Sequence, residues 1–365
     1  MATTMSDIAA KAGTSVAAVS VTLNGAKSKT LKVSAETRQR IIEAAQELGY
    51  RRNPYAGALA TGQSRILGLM LPSASAYSQH DPFYSLLTTG ITTCAQELGY
   101  NVMLYSAAAE DEPEKAARLI DKLVAGLVLV SPPENTPLYE ECDRLRIPFV
   151  TVLAGPQSGR LTINSDDYRG GRMATEHLIA QGHRRIAHLK GRSGVVTTLP
   201  RYRGYVDALR EYGLSIEPAL TMPGDFNLAC AYESTRRLAL MSEGERPTAI
   251  FAANDLSAHG AIDAIADCGL KTPDDIAVVG YDDTWYATVT RPALTSVNMD
   301  VAGIGYQAAR ALLRLITSDG PRETHIVLPV SLTVRESCGV KRAKSDPSTS
   351  SLENSYATKQ SIYTD

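Results

Sequence analysis

Close cysteine pairs are missing from these 365 residues: the five cysteines stand far apart, at 94, 142, 230, 268 and 338. Such spacing builds neither a disulfide framework nor a zinc site, and it predicts free, buried thiols. Long apolar runs are missing too. None approaches the eighteen residues of a membrane span, and no basic segment followed by an apolar run opens the chain as a secretory signal would. A cytoplasmic protein with no membrane partner is the expectation. The phosphate-cradling motifs GxxxxGKS/T and GxGxxG, the latter opening a helix after a strand, do not occur, nor do GxSxG and HExxH. No enzymatic activity, cofactor or catalytic metal is therefore predicted. Net charge is only −2, but it is unevenly spread: through residue 64 eight Lys and Arg face four Asp and Glu, and the remainder carries 29 against 35. A basic end on an acidic body suggests that this end alone meets a polyanion.

What is present begins with "DIAAKAGTSVAAVSVTLNG", residues 7–25. Ile8, Ala9 and Ala12 share one helical face before Gly13, and Val16, Val19 and Leu23 repeat at helical spacing after it. Gly13 in the left-handed conformation would end the first helix, the Ser15 hydroxyl would cap the second, and Gly25 would stop it. Ala9 keeps the crossing of the two helices close. This is a helix-turn-helix pattern, whose second helix enters the DNA major groove. A third helix is predicted over 34–49, with Ser34 as N-cap, Ile41, Ile42, Ala45 and Leu48 on one face, and Gly49 as stop.

From residue 65 the texture changes. Continuous apolar runs, "RILGLMLP", "GYNVMLYS", "GLVLVSP", "IPFVTVLA", "RRIAHLKG", "PTAIFAAN" and "DIAVVGYD", alternate with amphipathic stretches that each end at a glycine. Runs of this kind predict parallel strands buried on both faces, with helices packed on each side. There are too many for one sheet of ordinary size, so two doubly wound subdomains with a cleft between them are expected, and open parallel sheets bind ligands at the carboxyl ends of their strands. "AAQELGY" and "CAQELGY", fifty residues apart, read as one helix-stop signal used twice, without a structural repeat. His183 and His188 read as structural residues of a helix-to-strand turn. An enzyme or a sugar-binding transport protein on the same α/β core is the rival reading. The first lacks a catalytic motif, and the second would carry an export signal in place of a basic head.

The opening "TMSDIAAKAGTS", then "VSAETRQRIIEAAQELGYRRNPYA", "INSDDYRGGRMATEHLIAQGHRRIAHLKG", "RYRGYVDAL", "FAANDLSAHGAIDAI" and "DDIAVVGYDDTWYATVTRPALTSVNMD" follow one another in an order that resembles the LacI/GalR family of transcription regulators, from residue 4 to about residue 338. The resemblance implies an all-α helix-turn-helix head over 1–50 and a hinge helix over 51–64. It implies an α/β core of two doubly wound parallel-sheet subdomains like the periplasmic binding proteins, one built from 65–162 plus 298–322, the other from 163–297 plus 323–338. The tail, 339–365, lacks the leucine heptads of a four-stranded bundle and is predicted to be disordered. A homodimeric repressor is implied, acting on a pseudo-palindromic double-stranded operator under the control of a small ligand, a sugar or sugar derivative, bound between the subdomains.

Residue by residue, the resemblance places Val16, Ala17 and Val21 at base-reading positions, although none can hydrogen-bond to a base edge, and Val16 has the alternative of joining the head's core. Ser15, Ser20 and Asn24 offer phosphate contacts, and Leu59 stands where relatives wedge a leucine into the minor groove. For the ligand it implies Arg201, Phe226, Asn254, Asp255 and Asp282, with Phe83 and Tyr84 from the first subdomain. Guanidinium, amide and carboxylate beside an aromatic face suit a polyhydroxylated molecule.

Overall fold

Thr4 begins the first helix because its hydroxyl accepts the Asp7 N–H while the Asp7 carboxylate accepts the Thr4 N–H, a reciprocal cap that satisfies two otherwise unbonded amides. In the computed structural model, which describes residues 3–24, 32–50, 64–72, 82–105, 113–121, 123–155, 160–317 and 324–339, helix α1 (Met5–Ala12) ends at Gly13, whose φ of 62° is left-handed. Helix α2 (Val16–Asn24) follows, with the Ser15 Oγ accepting the Ala18 N–H at 3.2 Å. Ser34 caps α3 (Ala35–Glu47) by accepting from Thr37. The three helices bury Ile8, Ala9, Ala12, Ala18, Val19, Ile41, Ala44 and Ala45, with Leu23, Leu48 and Tyr50 packed against them. Two expected members of this core lie outside it. Ile42 is 37% exposed, because Ile41, Ala44, Ala45 and Leu48 already form the inward stripe and Ile42 is rotated a quarter-turn and more away from it. Val16, in the first turn of α2, is 45% exposed.

The chain continues through β1 (Ile66–Met70), α4 (Phe83–Glu97), β2 (Asn101–Tyr105), α5 (Pro113–Leu119), β3 (Gly126–Val130), α6 (Pro137–Leu145), β4 (Phe149–Val152), β5 (Thr162–Ser165) and α7 (Asp167–Ala180). Then come β6 (Ile186–Lys190), α8 (Thr198–Glu211), β7 (Thr221–Pro223), α9 (Leu228–Ala239), β8 (Ala249–Ala252), α10 (Asp255–Asp267) and β9 (Ala277–Tyr281). The last elements are α11 (Tyr286–Val289), β10 (Thr295–Asn298), α12 (Val301–Thr317), β11 (His325–Leu328) and β12 (Ser331–Thr333). The strands form two six-stranded sheets, ordered β11–β5–β4–β3–β1–β2 and β12–β10–β9–β8–β6–β7. Every pairing is parallel except that of β12 with β10.

The core divides into two units, with changeovers at 169/170, 298/299 and 330/331 and a short visit of Ser193–Pro200 to the first. The boundaries implied near 162 and 322 therefore shift. They would put β5 and β11 in the second unit, whereas these strands pair with each other in the first sheet, Ile163 opposite Ile326. The run "NVMLY" also departs from expectation: β2 is an edge strand among the described residues, and its Leu104 is 46% exposed. His183 lies in the turn before β6, its Nδ1 3.0 Å from the Thr248 hydroxyl, but His188 lies inside the strand itself, fully buried, with Nδ1 2.9 Å from the Phe251 carbonyl. All five cysteines are free, three buried and two half-buried, and burial pushes the Cys94 thiol up to about 11 and Cys142 to about 12. No described helix is long and apolar enough to cross a membrane. The hinge residues 51–63 and the tail beyond Gly339 lie outside the described residues.

Candidate functional site

Buried charge is expensive unless it is paired and hydrogen-bonded, so clusters of it mark sites held for a reason other than stability. The second unit holds one at the carboxyl ends of its strands. Arg201, in the first turn of α8, is almost wholly buried, and its Nη1 donates to the Ala253 carbonyl at 2.5 Å, just beyond β8. Its guanidinium lies 3.7 Å from the centre of the Tyr281 ring and 5.8 Å from that of Phe226. The Asp282 carboxylate, one residue past β9, stands 3.6 Å from Nη1. Three residues placed here by resemblance, Arg201, Phe226 and Asp282, are thus brought together in space.

The backbone around them is unusual. Asp225 and Phe226 after β7, and Asp282 and Asp283 after β9, have φ between 53° and 99°, a region that residues with a Cβ seldom occupy. Such strain persists where neighbours over-determine it. After β7 the Lys190 carbonyl accepts the N–H groups of Gly224 and Asp225 at 2.8 and 2.9 Å. After β9 the Asp282 N–H donates to the Val297 carbonyl, and the Asp283 carboxylate pairs with Arg335 at 2.7 Å while accepting from Asn298 and Thr333 at 2.9 and 2.7 Å.

Asn254 and Asp255 open α10, one capping the helix and the other bonding to the loop and strand beyond β9. The Asn254 Oδ1 caps the helix by accepting the Ser257 N–H at 2.9 Å. The Asp255 carboxylate accepts the Thr284 N–H and hydroxyl at 2.6 and 3.0 Å and the Ser296 hydroxyl at 2.5 Å. Burial pushes this carboxyl up to about 7 against those three donors, and the Asp283 charge adds to the rise. Asp255 thereby holds the loop that presents Asp282. Phe83 and Tyr84 belong to the first unit, at the start of α4, where their rings meet edge to face at 5.2 Å.

Sequence reasoning missed the supports: Tyr281, Asp283, Ser296, Arg335 and the glycines of α7. A Cβ at Gly170 would collide with the Tyr281 ring, and one at Gly171 with the Arg201 carbonyl. Two successive glycines inside a helix, each about 1 kcal/mol worse than alanine, were the available signal of such close approach.

In the head, Ser15, Val16 and Ala17 are exposed at the start of α2, while Ser20 and Val21 are half-buried. Asn24 ends that helix, and Leu59 lies outside the described residues.

Residues 4–53 match the model for bacterial regulatory proteins of the lacI family, and residues 175–338 that of a periplasmic binding protein-like domain. The chain is 32% identical over 338 residues to the HTH-type transcriptional regulator CelR of Thermobifida fusca, covering 92% of this chain and 98% of that protein. It is 30% identical over 335 residues to the HTH-type transcriptional repressor PurR of Aliivibrio fischeri (strain MJ11), covering 90% and 97%. A solved lac repressor dimer bound to operator and the anti-inducer ONPF aligns with a TM-score of 0.79 at 29% identity, over 93% of this chain and 99% of that one. The CelR–cellobiose complex aligns with a TM-score of 0.69 at 31% identity, over 92% and 99%.

Proposed function

The chain belongs to the lacI family of bacterial regulatory proteins, and from that premise we propose that it is a homodimeric repressor whose operator affinity is set by a sugar or sugar derivative bound against Arg201, Asp282 and Phe226. That it is a DNA-binding transcription regulator under the control of a small ligand follows from the relatives it matches across nearly its whole length. The observation that carries the finer reading is the buried guanidinium–carboxylate pair beside the Phe226 and Tyr281 rings. Charged donors and acceptors next to an apolar face complement a molecule with hydroxyls along one edge and C–H groups on its faces. The CelR relative was solved with cellobiose, a ligand of that chemistry.

Two copies follow from the head. One three-helix head offers a single short recognition helix, and two heads on a two-fold axis read a pseudo-palindromic site. Leu59, in the basic segment after the head, is proposed as the wedge at the centre of that site, so Leu59→Ala lowers operator affinity and bending while the head stays folded. Such a regulator works on DNA in the cytoplasm.

The test has two arms. Electrophoretic shift with selected duplexes gives a retarded species of two copies per site, weakening steeply with salt as phosphate contacts require. A thermal-shift screen of sugars and sugar acids identifies the ligand, since a compound at a hundred times its Kd adds about 2.7 kcal/mol of stability. Sequence-independent DNA binding would sink the regulator reading. A stabilising ligand that leaves operator binding unmoved would sink the control by that ligand.

A further inference from the structure

The recognition helix offers a base edge almost nothing that hydrogen-bonds. Its inward face is occupied by Ala18, Val19 and Leu23, which join the head's core. Outward at its start stand Ser15, Val16 and Ala17. The Ser15 oxygen is engaged as a cap on the Ala18 N–H. From residue 15 to residue 23 there is no Arg, Lys, Asn, Gln, Asp or Glu, and Asn24 stands only at the last position of the helix, two turns beyond its start.

Those absent side chains are the ones that read guanine, adenine and cytosine in the major groove. Thymine alone presents an apolar group there, its 5-methyl, which apolar side chains can cover. The first residues of a second helix in this motif are the ones that reach base edges. An isopropyl-sized apolar surface left in water at that position gains by burial against a methyl, whereas it would strip the hydration from any other base edge without replacing it. The excess of Lys and Arg through residue 64 supplies attraction to phosphate, which fixes the head on DNA without distinguishing bases.

We infer that Val16 and Ala17 read thymine 5-methyl groups in each half-site, and that the first two turns of α2 make no bidentate hydrogen bond to a purine there. This rests on the reading of the chain as a DNA-binding regulator. Each methyl covered contributes about fourfold in affinity, the equivalent of one buried methylene. A bidentate pair would contribute roughly five- to 150-fold.

The full chain is first used to select duplexes from a random library. The enriched site is then remade with uracil replacing each thymine in turn, which removes only the methyl, and with 7-deazaguanine replacing each guanine, which removes the N7 acceptor. Affinities are measured for the wild-type chain and for Val16→Ala, whose fold is checked by thermal melting. Uracil at one or two half-site positions weakens the wild type about fourfold each, 7-deazaguanine in the half-sites changes affinity by less than about twofold, and Val16→Ala no longer distinguishes thymine from uracil at one of those positions. Neutral uracil throughout, together with losses of about tenfold or more from 7-deazaguanine, overturns the inference. So does a uracil effect that persists undiminished at every such position in Val16→Ala. Failure to enrich any site is a different result, because it removes the DNA-binding reading on which the inference stands.

Discussion

The two sheets wind alike, β2–β1–β3–β4–β5–β11 beside β7–β6–β8–β9–β10–β12, yet their buried polar groups differ in kind. In the first unit these are mostly neutral: Thr136, Thr151, Thr162, Asn164 and Ser165, with Asp167 the charged exception. The second buries Arg201, Asp255 and Asp282 as well as His188. Backbone strain does not separate them, because Ser131 after β3 and Leu153 after β4 are left-handed just as Asp282 is after β9. Topology therefore sets where the chain turns sharply, and residue type decides which of the two equivalent rims carries the buried charge. The difference shows that a shared winding does not oblige the two units to share a task.

The largest expected effect exploits two buried titrating groups of the second unit that shift in opposite directions. Asp255 is raised from 3.8 to about 7 by burial, so between those values the unfolded chain releases a proton the native chain keeps, and stability falls as pH rises. His188 is lowered from 6.5 to about 3, again by burial, with the Lys190 and Arg201 charges adding to the fall. Its stability contribution is lost as pH drops through that range. The two oppose one another across the acid range. Asp255→Asn leaves stability declining toward acid, and His188→Leu leaves it declining toward neutral. Denaturant unfolding followed by Trp285, the only tryptophan and a member of the second unit, reads both slopes. Equal slopes in the two variants would erase the distinction.

Next come the two charges proposed to face the ligand. Arg201→Gln and Asp282→Asn lower affinity for the ligand found by thermal shift about hundredfold, about 2.7 kcal/mol, and leave operator binding intact. Calorimetry showing unchanged affinity in both would move recognition away from this rim.

Glycines give the third comparison. A Cβ at Gly90 would strike the Ala302 carbonyl and force α4 from α12 in the first unit, while one at Gly171 would strike the Arg201 carbonyl in the second. Each alanine variant destabilises its unit by roughly 2 kcal/mol. Only Gly171→Ala also weakens the ligand, because it moves Arg201.

The smallest effect separates capping from recognition. Thr136 caps α6 after β3, and Asn254 caps α10 after β8. Replacing either by alanine costs about 1 kcal/mol of stability. A further loss of ligand affinity in Asn254→Ala, and none in Thr136→Ala, assigns the Asn254 amide to the ligand, and equal behaviour confines it to the helix start.

Local signals were legible in the amino-acid sequence because they act over one turn of chain. Gly13, Gly49, Gly99, Gly213 and Gly269 all have left-handed φ just beyond a helix. The two "AQELGY" stretches end alike, with the Tyr50 and Tyr100 N–H groups bonding to Ala45 and Ala95 at 2.8 Å. The apolar runs likewise marked seven strands, since burial favours side chains with few polar atoms, although β2 is an edge strand and β6 buries His188. Strands β5 and β10 escaped that rule because they carry Thr, Asn and Ser into the interior. Their partners, such as the Thr151 hydroxyl for Thr162 and the Ala154 backbone for Asn164, arrive from elsewhere in the chain. Resemblance named Arg201, Phe226 and Asp282, which the fold brings near one another, but no spacing could show that Asp255 serves the loop beside them. Thr284 and Ser296 are 29 and 41 residues away from it. Sequence alone thus determined the helix ends, the apolar strands and the recognition helix free of charge, each set by side-chain chemistry and neighbours within a turn or two. Tertiary structure alone decided which sheet received β11, which buried charges found partners, and which apolar residues, Ile42 and Val16 among them, were left facing water, because those outcomes depend on surfaces that meet only when distant segments pack.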